Sequence, residues 1–218
     1  MKFYQELTLI PQAEINPHYL LSRLFQQIHL GLVEIQDAQK RAPIGVSFPE
    51  YKSGGKCGVL GSKLRLFASD EDVLVQFDAA KWLVRLTDYV HCTGIRAVPS
   101  EVRGYAIYQR EQPKTNRERL ARRYARRDAK HHNLDCASTL NRQVITDVPI
   151  ESTMAYEQAL IRYRDMPPPT IATPFIRLRS LHSGHTFCLW IKKRAIDRDH
   201  DGTFSTYGLS TTSTVPEF

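Results

Sequence analysis

The sequence has little cysteine: four residues among 218, with no Cys-x-x-C pair. A structural zinc site needs ligands at close spacing, and a disulfide framework needs a denser set of cysteines. Neither arrangement is therefore expected, and we predict reduced thiols with mostly structural roles. The cysteines are Cys57, Cys92, Cys136 and Cys188.

Long apolar runs are also missing. No stretch approaches the roughly 18–20 apolar residues that a transmembrane helix requires. The first segment, MKFYQELTLIPQAE, has no apolar core of the kind found in signal peptides. We therefore expect a cytoplasmic protein with no membrane partner. Hydrophobic residues nevertheless make up 42% of the chain, which is enough for a folded core and argues against general disorder.

The positive charge of the chain is concentrated in one segment. The formal net charge is +7, from 30 basic and 23 acidic residues. Residues 103–130 contain 10 of the basic and 3 of the acidic residues, so the rest of the chain is neutral as a group. A single basic segment in an otherwise balanced chain is typical of a polyanion-binding surface.

Within that segment the basic residues recur every three to four positions, which predicts an arginine-rich helix at residues 115–130. Thr115 and Asn116 would cap it, while Leu120 and Tyr124 give it only a narrow apolar stripe. Like charges one turn apart destabilise an isolated helix, and a polyanion would relieve that repulsion because arginine matches phosphate geometry. Duplex RNA, duplex DNA and an acidic protein all remain open as partners. The basic row is Arg119, Arg122, Arg123, Arg126, Arg127 and Lys130.

The first half of the chain shows the element order β-α-β-β-α-β. Its strands are predicted from β-favouring or alternating residues, and its first helix from Asn16-Pro17 followed by apolar residues at helical spacing. A second helix is expected to break near Asp78. This order predicts a ferredoxin-like domain at residues 1–99. The predicted elements are strand 2–10, helix 17–34, strands 44–48 and 63–69, a helix that continues through Leu86, and strand 90–98.

Residues 100–218 form a second predicted domain, a C-terminal α/β half that carries the arginine-rich helix, so the overall class is α+β. Residues 197–202 match the D-x-D-x-D-G pattern of a calcium loop, but Gly208 occupies the position where that loop needs a bidentate glutamate. We therefore predict a turn there. The other predicted elements are strands 103–110, 175–180 and 186–192, a helix near 151–164, and a final hairpin at 203–210.

Several side chains are candidates for chemistry, although each taken alone is equally compatible with a structural role. His29 follows the apolar face of the first helix, and histidine titrates near neutral pH, where it serves as acid or base. Ser180 ends a strand at a turn that also holds His182 and His185. Tyr207 lies in the last predicted hairpin. RNA carries its own nucleophile, the 2′-hydroxyl, so a histidine and a few hydrogen-bond donors are sufficient to cleave it without a metal.

Seven local motifs follow one another along the chain. They are LSRLFQQIHLGL around His29, IGVSFP at 44–49, Arg110-x-Gln112 leading into TNRERLARRYARR, PFIRLRS and SGHTFCLWI within 174–191, TFSTYGLS, and Val215-Pro216-x-Phe218. As an ordered set they resemble the CRISPR-associated pre-crRNA-processing endoribonucleases of type I-F systems, the Csy-type repeat RNA endonucleases. A single motif such as IGVSFP is weak, but the set extends from one end of the chain to the other.

The resemblance implies an N-terminal ferredoxin-like half and a C-terminal half with an arginine-rich helix. It also implies an enzyme that binds the stem-loop of CRISPR repeat RNA and cuts at its 3′ base to give mature crRNA. Such an enzyme stays bound to the product, among the other subunits of the type I-F surveillance complex, and is a monomer when alone. It needs no metal and no cofactor.

The resemblance also implies individual roles. His29 would be the general base toward the 2′-hydroxyl, Ser180 would hold that hydroxyl, and Tyr207 would orient His29, giving a 2′,3′-cyclic phosphate. His182 would be a phosphate contact or a second acid or base, so the identity of the general base stays open. The implied RNA-binding residues are Arg110 and Gln112 at base edges, Phe187 on the terminal base pair, Arg122, Arg123, Arg126 and Arg127 on phosphates, and Arg119 beside them.

Two other functions use the same arginine-rich helix. One is a non-catalytic hairpin-RNA-binding subunit of a ribonucleoprotein complex. The other is a DNA-binding protein whose helix enters the B-form major groove. Charge alone does not separate these alternatives, because the phosphate backbone is common to both nucleic acids.

Overall fold

A computed structural model describes residues 1–54, 58–113, 117–136, 154–164, 171–181 and 183–218. They belong to two compact units, one made of Met1–Gln112 with Ile171–Phe218 and the other within Pro113–Thr170. The predicted boundary between residues 99 and 100 is a different division of the chain, and it stays a prediction. In these ranges no helix is long and apolar enough to cross a membrane.

The N-terminal part of the first unit contains an antiparallel sheet. Its elements are β1 (Phe3–Leu9), α1 (Pro17–Glu34), β2 (Arg41–Ala42), β3 (Gly45–Ser47), β4 (Lys63–Ala68), α2 (Glu71–Phe77), α3 (Ala79–Trp82), a 3-10 turn (Val84–Leu86), β5 (Val90–Cys92) and β6 (Arg96–Ala97). The strand order is β3-β4-β1-β5, and β6 also pairs with β1. The predicted strands 44–48 and 63–69 are present as β3 and β4, which are antiparallel neighbours.

Helix α1 has the bounds that the sequence predicts. Asn16 caps it, since its side-chain oxygen accepts a hydrogen bond from the backbone N–H of His18 at 2.8 Å. Pro17 occupies the first helical position, where a missing N–H costs no hydrogen bond. The apolar face is buried in the core and comprises Leu20, Leu21, Leu24, Phe25, Ile28 and Leu32.

Two interruptions shape the rest of this half. Asp78 has a φ of 44°, a left-handed conformation that ends α2 and begins α3, so the predicted helix break is confirmed. The last predicted strand is divided into β5 and β6. Tyr4 pairs with Arg96 and Leu7 pairs with Cys92, so two residues of β1 lie opposite three residues of its partner. One extra residue in a strand pair is a β-bulge, which interrupts regular pairing.

The C-terminal part of the first unit forms a second antiparallel sheet. It contains β7 (Gly104–Glu111), β8 (Phe175–Arg179), β9 (Thr186–Ile196) and β11 (Val215–Glu217), in the order β11-β7-β9-β8. Strand β9 extends four residues beyond its predicted end at residue 192. The predicted turn at residues 197–202 corresponds to a bend at 197–198 followed by an irregular connection from β9 to β10 (Phe204–Ser205).

The predicted hairpin at 203–210 is present only as a tight turn. Its one strand, β10, pairs in a sheet with β2 about 160 residues earlier in the chain, and the residues directly after the turn form no second strand. The next residues turn back, since the Ser205 N–H donates to the carbonyl oxygen of Leu209 at 2.8 Å. The carbonyl oxygen of Gly208 then accepts from the Val46 N–H at 2.9 Å, which places this loop against β3.

Both sheets of the first unit contribute to one hydrophobic core. Two tyrosine side chains also form hydrogen bonds between the N-terminal and C-terminal parts of this unit. The Tyr108 hydroxyl donates to the carbonyl oxygen of Phe48 at 3.1 Å, and the Tyr51 hydroxyl donates to that of Ile191 at 3.2 Å. Elements from both ends of the sequence are therefore held in one body.

The second unit contains α4 (Arg117–Cys136) and α5 (Met154–Arg164), which pack against each other. Ala121 and Ala125 of α4 and Ala159 of α5 are buried, and small side chains allow a close approach of helices. The arginine-rich helix is thus confirmed, but its predicted end at residue 130 is wrong. The predicted end is the last basic residue of the row, but no glycine or proline follows there to stop the helix. The predicted cap at Thr115 and Asn116 lies outside the described residues.

We predict that Gly208→Ala lowers the free energy of unfolding by about 2 kcal/mol or more. Gly208 has a φ of +67°, and an added Cβ would overlap the Val46 side chain, which is 1% exposed. Urea denaturation measures the difference. The matched control is Gly94→Ala, where an added Cβ meets nothing within 4 Å and the change should stay within about 0.5 kcal/mol. Equal unfolding midpoints for the two variants would contradict this account.

Candidate active site

His29 is held by one loop of the C-terminal part of the chain. Its Nδ1 lies 2.7 Å from the carbonyl oxygen of Thr206. Its ring is stacked on that of Tyr207, with centroids 4.1 Å apart and planes 11° from parallel. Two successive residues therefore fix the position and the plane of the imidazole. The structure brings together the sequence-predicted pair His29 and Tyr207.

The hydrogen bond to Thr206 also sets the tautomer of His29. A carbonyl oxygen only accepts hydrogen bonds, so Nδ1 carries the hydrogen and donates it. The neutral ring then has its lone pair on Nε2, which is the acceptor that a general base needs. Burial lowers the pKa of His29 below its usual value, and the bond to Thr206 opposes that shift without cancelling it. The neutral, basic form therefore prevails at neutral pH.

The loop that holds His29 is fixed by backbone hydrogen bonds. It begins at β10, which pairs with β2. The Gly208 N–H donates to the carbonyl oxygen of Ser205 at 2.8 Å, closing a tight turn around Thr206 and Tyr207. The bond between Gly208 and Val46 then attaches the turn to β3. The groups that contact His29 are therefore placed by the sheet.

Ser180 stands at the end of β8, in the turn to β9. Its backbone N–H donates to the carbonyl oxygen of His185 at 2.9 Å, and its own carbonyl accepts from the Gly184 N–H at 2.8 Å. Its hydroxyl oxygen accepts from the Ser183 N–H at 3.3 Å. A hydroxyl has two lone pairs and one donor hydrogen, so that bond leaves it able to contact a ligand hydroxyl. His182, in the same turn, lies outside the described residues.

Helix α1 runs beside β8, which relates His29 to Ser180. His18 lies 2.9 Å, through Nε2, from the carbonyl oxygen of Phe175 at the start of β8. Farther along, the Arg179 N–H donates to the side-chain oxygen of Gln26 at 3.2 Å. Three residues beyond Gln26 is His29, and one residue beyond Arg179 is Ser180. His29 and Ser180 therefore each lie a few residues beyond the contact between Gln26 and Arg179.

The candidate base-reading residues lie where β7 ends. Arg110 is exposed in β7, and Gln112 is exposed just after it. Phe187, at the start of β9, is half-buried, and the guanidinium carbon of Arg110 lies 6.0 Å from the centroid of its ring. A cation and an aromatic face at this distance attract one another. An exposed guanidinium and a partly exposed ring are thus adjacent on one surface.

The arginine row is exposed on α4. An open concave space of about 340 Å³ lies along the helix, and the described residues that line it are all arginines. Such a surface suits an extended polyanion better than a small molecule. The lining residues are Arg119, Arg122, Arg123 and Arg126, and Arg127 is exposed on the same helix.

The sequence reasoning missed two residues of this site. Thr206 acts through its backbone carbonyl, which no side-chain pattern reveals. Gln26 precedes His29 by three positions and so shares its side of the helix, but a glutamine at that spacing is common on helix surfaces. Only the pairing of the helix with β8 identifies it.

We predict that His29 in the folded protein is the Nδ1–H tautomer with a pKa below the usual value for histidine. Nitrogen NMR of the labelled protein, followed as a function of pH, measures both quantities. Burial disfavours the charged ring, so protonation should occur only as the pH falls below about 6.5. A ring protonated on Nε2 alone, or a raised pKa, would contradict the hydrogen bond to Thr206 or the burial of the ring.

The chain is similar to known proteins along its whole length. A family model described as "CRISPR-associated protein (Cas_Csy4)" matches residues 4–218. The chain is 33% identical over 219 residues to the "CRISPR-associated endonuclease Cas6/Csy4" of Pseudomonas aeruginosa (strain UCBPP-PA14), and 29% identical to that of Escherichia coli (strain UTI89 / UPEC). Each comparison covers 100% of both chains.

Two solved structures have only low similarity to this chain. One described as "CRISPR associated protein Cas6" is 12% identical with a TM-score of 0.33, covering 99% of this chain and 98% of the other. Another, "An RAMP protein binding different RNA substrates", is 12% identical with a TM-score of 0.32 and covers 99% of each. The full-length family match and the relative that is 33% identical establish that this chain belongs to the CRISPR-associated Csy4 family.

Proposed function

We propose that this protein is a metal-independent endoribonuclease that processes CRISPR repeat RNA, with His29 as the general base. Membership of the Csy4 family supports an endonuclease of a CRISPR system. The observation that carries the proposal is the hydrogen bond from His29 Nδ1–H to the Thr206 carbonyl. It leaves Nε2 free to accept a proton from a 2′-hydroxyl.

The proposed reaction is an internal transesterification. His29 Nε2 takes the proton of the 2′-hydroxyl, and the resulting oxygen forms a bond to the adjacent phosphorus. The bond from phosphorus to the 5′-oxygen breaks, and that oxygen takes a proton from solvent. The products are a 2′,3′-cyclic phosphate and a 5′-hydroxyl. No oxidant, metal or external nucleophile is needed for the atoms to balance.

Ser180 and Tyr207 complete the proposed site. Ser180 would hold the 2′-hydroxyl within reach of His29, and its place beside α1 supports that role. Tyr207 would keep the imidazole in plane by stacking on it. Orientation of this kind lowers a barrier because the reacting groups no longer have to find one another.

Recognition would use two surfaces with different tasks. Arg110 and Gln112 would read base edges at the foot of the RNA stem, and Phe187 would stack on its terminal base pair. The arginine row would contact phosphates, which position a duplex without reading its sequence. The A-form major groove is too deep and narrow for a helix along most of its length, but it opens where a short stem ends.

The remaining expectations belong to this proposal as well. A ferredoxin-like arrangement of residues 1–99 is supported by the antiparallel strand order β3-β4-β1-β5. Retention of the cleaved RNA, and assembly with other subunits of the surveillance complex, follow from family membership and are proposed on that ground. His182 remains a candidate phosphate contact or second acid or base.

We predict that His29→Ala abolishes cleavage of the cognate repeat hairpin in EDTA, while the affinity for the hairpin stays within about threefold of wild type. The reason is that the substitution removes a proton acceptor and leaves the arginine row intact. Single-turnover cleavage and a binding titration measure the two effects. Full activity of the variant would show that another residue is the general base, and His182 is the next candidate. Loss of wild-type cleavage in EDTA would overturn the metal-independent route.

We predict that Arg123→Gln weakens hairpin binding and reduces the slope of log affinity against log salt by about 1, as expected for one lost phosphate contact. Binding is measured over a salt series. The matched control is Arg85→Gln, an exposed arginine on the 3-10 turn of the first unit, which should leave the slope unchanged. Equal slopes for the two variants would remove Arg123 from the phosphate-binding surface.

A further inference from the structure

One face of α1 carries a row of polar side chains that bond to backbone groups of distant segments. His18 and Gln26 contact β8, and His29 contacts the loop after β10. His18 is exposed, while Gln26 and His29 are half-buried, so the row lies at the border of the buried face of the helix. Each of these three has a backbone partner more than 150 positions away in the sequence. The row therefore sets how the helix lies on the C-terminal part of the chain.

Strand β8 offers partners for this row because it is an edge strand. The carbonyl oxygen of Pro174 accepts from the Ile191 N–H in the neighbouring segment, so residue 174 faces inward in the ladder. Backbone groups alternate along a strand, and Phe175 and Arg179 therefore face the open edge. His18 bonds to the carbonyl oxygen of Phe175, and Gln26 accepts a hydrogen bond from the N–H of Arg179. The helix thus covers an edge that would otherwise be open to pairing with another chain.

The spacing of the two contacts shows that helix and strand run alongside one another. From His18 to Gln26 the helix rises about 12 Å. From Phe175 to Arg179 the strand advances about 13 Å. The two lengths agree, so the helix from His18 to Gln26 runs alongside the whole of β8, which ends at Arg179. His29 lies about 4.5 Å farther along the helix, and Ser180 directly follows Arg179 at the end of the strand.

Arg179 joins this contact to the turn itself. Its backbone N–H donates to Gln26 at 3.2 Å, while its side-chain Nε donates to the carbonyl oxygen of Gly184 at 3.2 Å. Ser180, between them, bonds to His185 through its backbone N–H. A shift of β8 along α1 would therefore move the whole turn relative to His29.

We propose that Gln26 is a positioning residue for RNA cleavage, which it serves by fixing the distance between His29 Nε2 and the Ser180 turn. This inference rests on the proposed roles of His29 and Ser180. Gln26 acts through the Arg179 backbone and takes no part in proton transfer. A misplacement of about 1 Å is enough to slow an oriented reaction by up to a hundredfold.

The test is the single-turnover cleavage rate of Gln26→Met, which keeps the length of the side chain and removes its acceptor oxygen. The rate is measured with enzyme in excess over the cognate hairpin, in EDTA and at a pH where His29 is neutral. We expect it to fall about tenfold or more. The hairpin dissociation constant and the pH midpoint of the rate should stay at their wild-type values, since the arginine row and the His29–Thr206 bond are untouched.

Two further variants separate positioning from a general structural effect. Gln26→Glu keeps an acceptor oxygen at the same reach and should recover most of the rate. His18→Ala removes the other contact between α1 and β8, about 16 Å from His29 along the helix, but keeps the Gln26–Arg179 bond next to the turn, so it should slow cleavage much less than Gln26→Met. Gln26→Ala replaces Gln26→Met if the latter melts at a lower temperature than wild type.

Each outcome has one meaning. A wild-type rate for Gln26→Met, an equally slow Gln26→Glu, or an equally slow His18→Ala would overturn the positioning role. His29→Ala is assayed beside them. Its loss of cleavage together with a normal Gln26→Met would reject this inference alone, whereas full activity of His29→Ala would reject the proposed function on which it rests.

Discussion

The hydrogen bond between His29 and the carbonyl oxygen of Thr206 is the interaction on which the proposed chemistry depends. A neutral histidine has two tautomers, and only one presents a lone pair on Nε2. The carbonyl selects that tautomer because it accepts and cannot donate. Burial then favours the neutral ring. Both the protonation state of the imidazole and the position of its lone pair are therefore set before the substrate binds.

Much of the fold serves to hold that carbonyl in place. The loop from β10 is fixed at one end by pairing with β2 and at the other by the contact between Gly208 and Val46. Helix α1, which carries His29, is covered along one side by β8. The arginine-rich helix belongs to the other compact unit, so the proposed binding of phosphates and the proposed cutting lie in different parts of the chain. A change in one can therefore leave the other intact.

Local sequence signals predicted the local structure. Asn16, Pro17 and the apolar spacing define α1 to the residue, and the arginine spacing defines the core of α4. Long-range pairing was not predictable in the same way. The motif TFSTYGLS contains turn residues and four β-favouring residues, which suggests a hairpin, but nothing in it specifies Arg41–Ala42 as the partner. The contact between Gln26 and Arg179 has no local signature either, since one partner is a backbone N–H.

The most direct test of a general base that acts on a 2′-hydroxyl is the chemical identity of the cleaved ends. Mass spectrometry of the fragments from the cognate repeat hairpin, cleaved in EDTA, reads both ends in one experiment. The account predicts a 2′,3′-cyclic phosphate on the upstream fragment and a 5′-hydroxyl on the downstream fragment. A 3′-hydroxyl with a 5′-phosphate would mean that water is the nucleophile, and would contradict the role assigned to His29.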